Sequence, residues 1–179
     1  MSQWPRWEVF KKDNAKKPYQ AVGSVHAVDP EHALLNAKNV FVRRPAAVSL
    51  WVAPAAAIYS KTKEELEQEP IYAERTSSSQ PFIVFRKATN RRSLTFMDHV
   101  GEISAGTPQL ALQEAIEEFN DKPGLAWWVI PKDAITSSGE EVAEAWFDPA
   151  KTKTYKQQSQ YGFVSKLREG RKGSVTNEQ

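Results

Sequence analysis

The side chains that could do chemistry are concentrated near the first histidine of the chain. His26, Asp29 and His32 follow one another at intervals of three, a spacing that suggests a metal or acid–base cluster. Asp29, however, stands where a helix N-cap is predicted, and His26 lies in the strand before it, so the three are not expected to converge. Ser24 completes the residue types of a hydrolytic triad, but it lies on the same strand as His26 and no oxyanion loop follows. We therefore expect neither a metal site nor hydrolase activity.

Residue types that the chain lacks exclude further chemistry. It contains no cysteine, which excludes iron–sulfur clusters, thiolate zinc sites, cysteine nucleophiles and disulfides. It has no Glu-x-x-His pair, so it cannot supply the helix-borne ligands of a di-iron centre. Its glycines form no phosphate-loop or dinucleotide motif. We expect no catalytic residue and no cofactor in this chain.

Length and composition indicate a small globular protein. The chain has 179 residues, of which 40% are hydrophobic and 26% charged, enough for little more than one domain. The start, MSQWPRWEVFKK, has no apolar run and does not read as a signal peptide. The longest uncharged stretch, residues 45–60, is interrupted by Pro54 and is too short to span a membrane. We expect a cytoplasmic protein without membrane contact.

Two stretches of the chain repeat one another. The first runs from about Trp7 to Ile58 and the second from about Phe82 to Ile135. Val22 and Val100 are 78 positions apart, whereas the offset is 75 in the opening strand and 77 in the closing strand. These changes are confined to turns, as a duplication predicts.

Each copy is predicted to fold as ββαβ. Alternating apolar residues open each copy, and Gly23 and Gly101 suggest a bulge or a close backbone approach in the second strand. Each helix has an oxygen-bearing N-cap followed by proline, an apolar face toward one core and a polar opposite face. The helices are predicted to begin at the N-caps Asp29 and Thr107 and to end before Pro45 and Pro123. The closing strands are predicted at 49–53 and 126–130.

These elements predict an α+β fold in which two tandem ββαβ units form a pseudo-dimer. The expected domains are a first unit at 1–60, a charged and serine-rich linker at 61–80, a second unit at 81–138 and a C-terminal region at 139–179. The charged start of the linker predicts a short surface helix. The aromatic residues between Ala143 and Phe163 predict an extended clasp. The segment from Lys151 to Gly173 contains seven basic residues and one acidic residue. This basic tail is either a solvated end or a docking arm for an acidic partner.

Several residues could serve partner binding. Six tryptophans in a chain without an evident active site favour a binding protein. Arg43 and Arg44 either stabilise the C-terminal end of the first helix or pair with carboxylates of a partner. Trp51, Trp127 and Trp128 are either sheet core or interface anchors. The residues alone leave these alternatives open.

The stretch VGSVHAVDPEHALLNAKNVFVRRPAAVSLWV resembles the PaaB family, one of the components of the bacterial multicomponent phenylacetyl-CoA epoxidase. Typical family features are a Glu-Val-Phe opening strand, Gly-Ser-hydrophobic-His-Ala-x-Asp, an arginine pair and Ser-Ile-Trp-Val. Here they correspond to residues 8–10, 23–29, 43–44 and 49–52. Phe147-Asp148-Pro149-Ala150, with Lys153 and Tyr155, is similar to the family's closing segment. The second copy departs from the pattern, with Glu102 and Ser104 in place of Ser24 and His26 and with no arginine pair.

The resemblance implies a noncatalytic cytoplasmic subunit that binds the catalytic and structural subunits of a complex which epoxidises the ring of phenylacetyl-CoA. Iron would then be held as a di-iron centre by the catalytic subunit. Together with the residues above, it suggests partner binding at His26, Arg43, Arg44, Trp51, Phe147 and Tyr155. The alternative is a small nucleic-acid-binding module with an aromatic sheet and basic loops, against which the 22 acidic residues count.

Overall fold

The computed structural model shows the repeat as two successive sets of strands and helices. It describes residues 3–42, 47–71, 73, 79–90, 96–139 and 142–151. The first set is β1 (Arg6–Lys12), β2 (Gln20–His26), α1 (Pro30–Phe41), β3 (Ser49–Pro54), β4 (Tyr59–Thr62) and α2 (Lys63–Gln68). The second set is β5 (Gln80–Lys87), β6 (Met97–Ala105), α3 (Pro108–Glu118), β7 (Ala126–Pro131), β8 (Thr136–Ser137) and α4 (Ala143–Lys151). The predicted ββαβ order is confirmed in both copies.

The eight strands of the described ranges belong to one antiparallel sheet, whose order is β4-β7-β5-β6-β2-β1-β3-β8. The two copies meet where β2 pairs with β6, through Gln20 with Asp98 and Ala21 with Met97. Reading the order from either end gives the same succession of elements. The sheet is therefore a pseudo-dimer, as the sequence predicts, and the structure places its pseudo-twofold axis between β2 and β6.

The copies exchange their last strands. β4 follows the first copy in the chain but pairs with β7 of the second, and β8 follows the second copy but pairs with β3 of the first. The helix after each exchanged strand packs on the same copy as that strand: Leu66 of α2 packs on the second core and Phe147 of α4 on the first. We call β4 with α2, and β8 with α4, the exchanged arms. The predicted surface helix in the charged segment is confirmed as α2, whereas no sequence pattern predicted either exchanged strand.

The helix boundaries follow the local sequence signals. The Asp29 carboxylate accepts a hydrogen bond from the backbone N–H of His32 at 2.7 Å, and the Thr107 hydroxyl accepts one from Leu110 N–H at 3.2 Å. Proline occupies the first turn of both helices, where its missing donor costs nothing. Both N-caps and both stops before the following prolines are confirmed.

The second strand of each copy is bulged next to a glycine. Val9 pairs with Gly23 and Phe10 with Ala21, so that one residue of β2 is left without a partner in the register. β5 and β6 repeat this pattern at Gly101. A Cβ added to Gly23 would lie 2.9 Å from Cζ of Phe41. The predicted bulge is therefore confirmed in both copies, and what approaches each glycine closely is a helix side chain rather than a backbone.

The residues that the structure describes form three apolar cores. One lies under α1, one under α3, and the third lies between the two copies. In the third, the rings of Phe10 and Phe85 stack with their centroids 4.2 Å apart, although β6 and β2 separate their strands in the sheet. The sheet therefore curls so that its two halves face each other. Trp51 and Trp128 pack half-buried against this third core.

The expected extended clasp is wrong where the structure describes it, because α4 is a helix over Ala143–Lys151. Ala143, Trp146 and Phe147 stand at the three- and four-residue intervals that place them on one helix face, and this face packs on the first core. The remainder of the predicted clasp and the basic tail lie outside the described residues. None of the helices in the described part of the chain has the length and apolar character needed to cross a bilayer.

Candidate partner-binding surface

The histidine and carboxylate group near residue 26 is arranged around the backbone and ring of Trp4. His26 Nδ1 donates to the carbonyl oxygen of Trp4 at 2.9 Å, since a carbonyl can only accept. The His32 ring meets the Trp4 ring edge-on, with centroids 5.2 Å apart. Asp29 is the helix cap, as predicted. Among the described residues, no three histidine or carboxylate side chains are grouped as a metal site would require.

These residues form part of an exposed apolar surface on the first copy. Trp4, Val28 and Leu35 are 52%, 55% and 48% exposed. His32 links Trp4 and Leu35, because its ring touches Trp4 and it lies three residues from Leu35 on α1, while Val28 directly precedes the N-cap of that helix. We call Trp4, His26, Val28, His32 and Leu35 the α1 surface. The expectation that the outer face of this helix is polar is therefore wrong at Leu35. Helical periodicity alone would have placed Leu35 on the outer face.

The second copy has no equivalent of the α1 surface. The corresponding positions, at the offsets of the repeat, are Ser79, Ser104, Gly106, Leu110 and Gln113. Leu110 is buried, and the Gln113 side chain accepts a hydrogen bond from Ala73 N–H at 3.4 Å. On this copy the connection from α2 to β5 therefore lies against the face that is exposed on the first copy. No sequence signal indicated this difference, since it depends on the route of the connection.

Trp51, a predicted interface residue, lies at the junction of the two copies. Its ring stacks on Tyr19 with centroids 3.5 Å apart and meets the His99 ring edge-on at 5.8 Å. His99 also packs beside Phe85 and donates from Nε2 to the carbonyl oxygen of Gly101 at 3.1 Å. Burial holds the pKa of His99 below its usual value. Trp51 thus contributes to the contact within the pseudo-dimer.

Phe147, another predicted site residue, is only 3% exposed in the first core. Trp146 beside it is half-buried, with Lys38 Nζ 5.1 Å from the centroid of its ring. Ala47, Val48, Ala143, Glu144, Phe147 and Asp148 line an open groove of about 250 Å³ next to α4. Phe147 therefore supports the position of α4 from inside, while the groove edge is accessible.

Two charged side chains are buried in the strands, and no sequence pattern had singled them out. Arg86 donates to the Asp121 carboxylate at 2.7 Å and to the carbonyl oxygen of Phe119, so it closes the C-terminal end of α3. This contact holds the pKa of Asp121 below its usual value. Burial raises the pKa of Glu8, and Arg6 at 3.1 Å opposes that effect. Both residues have structural partners.

Arg43, Arg44 and Tyr155 lie outside the described residues. Partner binding at these positions, and at His26, Trp51 and Phe147, stays a prediction. Of these last three residues His26 is the exposed one, and it is hydrogen-bonded to Trp4 of the α1 surface.

Comparison with known proteins gives a family for both copies. The family model Phenylacetic acid degradation B (PaaB) matches residues 3–77 and again residues 78–168. The B component of 1,2-phenylacetyl-CoA epoxidase from Escherichia coli (strain K12) is 39% identical over 62 residues, which are 35% of this chain and 65% of that protein. The chain therefore matches slightly less than two thirds of that relative's length. No solved structure matches the chain. The boundary between the two family matches falls just before β5, where the second copy begins.

Proposed function

The chain belongs to the Phenylacetic acid degradation B family, and we propose that it is a noncatalytic assembly subunit of a phenylacetyl-CoA epoxidase. The family match over both copies carries this proposal, and the related Escherichia coli protein is named as a component of that enzyme. In this proposal a di-iron centre in a separate catalytic subunit activates oxygen in the cytoplasm. This chain bridges the catalytic subunit and its structural partner.

The first copy is the one that makes the family-type contact in this proposal. It carries His26 and the arginine pair, for which the second copy has Ser104 and no equivalent pair. It also carries the α1 surface, whose counterpart on the second copy is polar or buried. The second copy then acts mainly as the structural mate that completes the sheet and covers the third core.

Co-expression with the catalytic and structural epoxidase subunits tests this function. We expect the wild-type chain to co-purify with them and iron to be found in the complex. Exchanging both Arg43 and Arg44 for glutamate should prevent assembly by reversing charge, while Lys122→Glu at the matching position of the second copy should not. Failure of the wild-type chain to bind either of the two, or stoichiometric iron in the isolated chain, would contradict the proposal.

The nucleic-acid alternative receives no support from the described residues. A single-strand-binding sheet presents aromatic rings to solvent, where bases stack on them. Here Phe10 and Phe85 are fully buried, and Trp51 and Trp128 pack against the core between the copies. These four aromatic residues therefore join the two copies.

A further inference from the structure

The α1 surface has the composition of a docking site. Three large apolar side chains, Trp4, Val28 and Leu35, each expose about half of their area, at 52%, 55% and 48%. A single exposed leucine needs no explanation, but apolar side chains that group around one contact mark an interaction site. The contact here is the pair of rings of Trp4 and His32.

The second copy shows how the same scaffold uses this face. There Ile71 and Ala73 pack on the core under α3, and Ala73 N–H donates to Gln113, the counterpart of Leu35. This covering segment exists because the chain must run from α2 to β5. On the first copy Leu35 is exposed, so no residue that the structure describes covers it as Ala73 covers Gln113. Within the described part of the chain, this face of α1 is therefore open to a bound segment.

Charge at the edge of the α1 surface indicates what such a segment carries. Asp29 and Glu31 are exposed at the N-terminal end of α1, and the corresponding residues of the second copy, Thr107 and Gln109, are uncharged. A Lys or Arg side chain complements these groups.

We propose that the α1 surface binds a segment of a partner subunit that packs an apolar side chain between Trp4 and Leu35 and places a Lys or Arg beside Glu31. This inference rests on the proposed function, since the partner is sought among the epoxidase subunits. Leu35 stands where the second copy has Gln113, whose side chain is hydrogen-bonded to Ala73. Because leucine cannot make that hydrogen bond, apolar contact supplies most of the affinity for the bound segment. The carboxylate contributes mainly to the association rate.

The test measures binding of the full chain to the purified catalytic and structural subunits. Leu35→Glu should weaken binding by roughly tenfold or more, the effect of losing a buried anchor. Its matched control, Gln113→Glu, keeps the acceptor for Ala73 and should bind within about twofold of wild type. Glu31→Lys should slow association at low salt, whereas Gln109→Lys should not.

The outcomes separate this inference from the proposed function. If the wild-type chain binds neither of the two subunits, the proposed function fails. If it binds and Leu35→Glu binds equally well, the α1 surface is not the contact. Two other occupants would also overturn the inference: a homodimer that Leu35→Glu dissociates, or hydrogen exchange in residues 28–35 that rises when residues 152–179 are removed.

Discussion

At the scale of single residues, Gly101 shows how little space the repeat leaves beneath its helices. A Cβ at this position would lie 2.3 Å from Cζ of Phe119, well inside van der Waals contact. We expect Gly101→Ala to lower the free energy of unfolding by about 1–3 kcal/mol, the usual cost of overpacking, as measured by urea denaturation. Phe119→Leu in the same chain should restore part of the loss. An unchanged urea midpoint in the single variant would contradict this packing.

His99 makes the contact between the copies sensitive to pH. Burial lowers its pKa in the folded state, and Lys12 adds to this effect, while the Gly101 carbonyl and Glu102 oppose it. The unfolded chain therefore binds more protons below the ordinary histidine pKa, so the stability present above that pH is lost as the pH falls from the ordinary pKa to the lowered one. We expect the wild-type melting temperature to fall between about pH 7 and pH 5.

His99→Gln isolates this contribution, because it removes the titrating ring and leaves Glu8 unchanged. Glu8 must be controlled for, since its raised pKa favours the folded state as the pH falls. The difference between variant and wild-type melting temperatures should shrink toward acid pH. Parallel curves across this range would show that His99 does not titrate in the folded state as its burial implies.

At the scale of elements, the exchanged arm that ends in α4 stabilises the first copy through one main anchor. Phe147 is buried among residues of the first core although it follows the second copy in the chain. We expect Phe147→Ala to lower the free energy of unfolding by about 3 kcal/mol. Glu144→Ala, an exposed position on the same helix, is the control and should change it by less than about 0.5 kcal/mol. Equal effects of the two variants on urea denaturation would show that α4 is not anchored.

How far the sequence predicts an element depends on where its determinants lie. The N-cap at Asp29, the proline after it and the bulge at Gly23 were predictable, since each signal is contained in a few neighbouring residues. β4 and β8 were not, because their pairing partners belong to the other copy. The duplication itself, by contrast, predicts that the two copies pair over the sheet faces that carry Trp51 and Trp128, and both residues pack against the third core.

The candidate surface divides in the same way. Leu35 lies on the outer face of α1 by helical periodicity, so its exposure was within reach of the sequence. That Gln113, its counterpart, is covered by Ala73 required the route of the connection. Which segment packs on each helix depends on the fold. Comparison of the two repeat sequences shows only that leucine is replaced by glutamine.

At the scale of the whole molecule, the duplication joins into one chain what a single-copy protein would assemble from two. The third core, the β2–β6 pairing and the two exchanged arms are all contacts between copies. Tethering makes these contacts intramolecular and raises the effective concentration of one copy near the other. We therefore expect the isolated chain to sediment as a monomer of 20.2 kDa. A stable homodimer built through these same contacts would show that the duplication does not replace dimerisation.

Cutting the tether tests the same idea more directly. A specific protease site inserted between residues 77 and 78, where the two family matches divide, would produce two fragments that each still donate an arm to the other. Because each fragment supplies a strand and a helix that complete the other's core, the cleaved protein should remain a 1:1 complex in gel filtration. Unfolding of the cleaved protein should depend on concentration, as it does for any folded dimer. Its melting temperature should fall over a roughly hundredfold dilution, whereas that of the uncut chain should not change. Fragments that separate, or a cleaved protein whose melting temperature ignores dilution, would mean that each copy is stable alone and that the exchanged arms do not hold the two together.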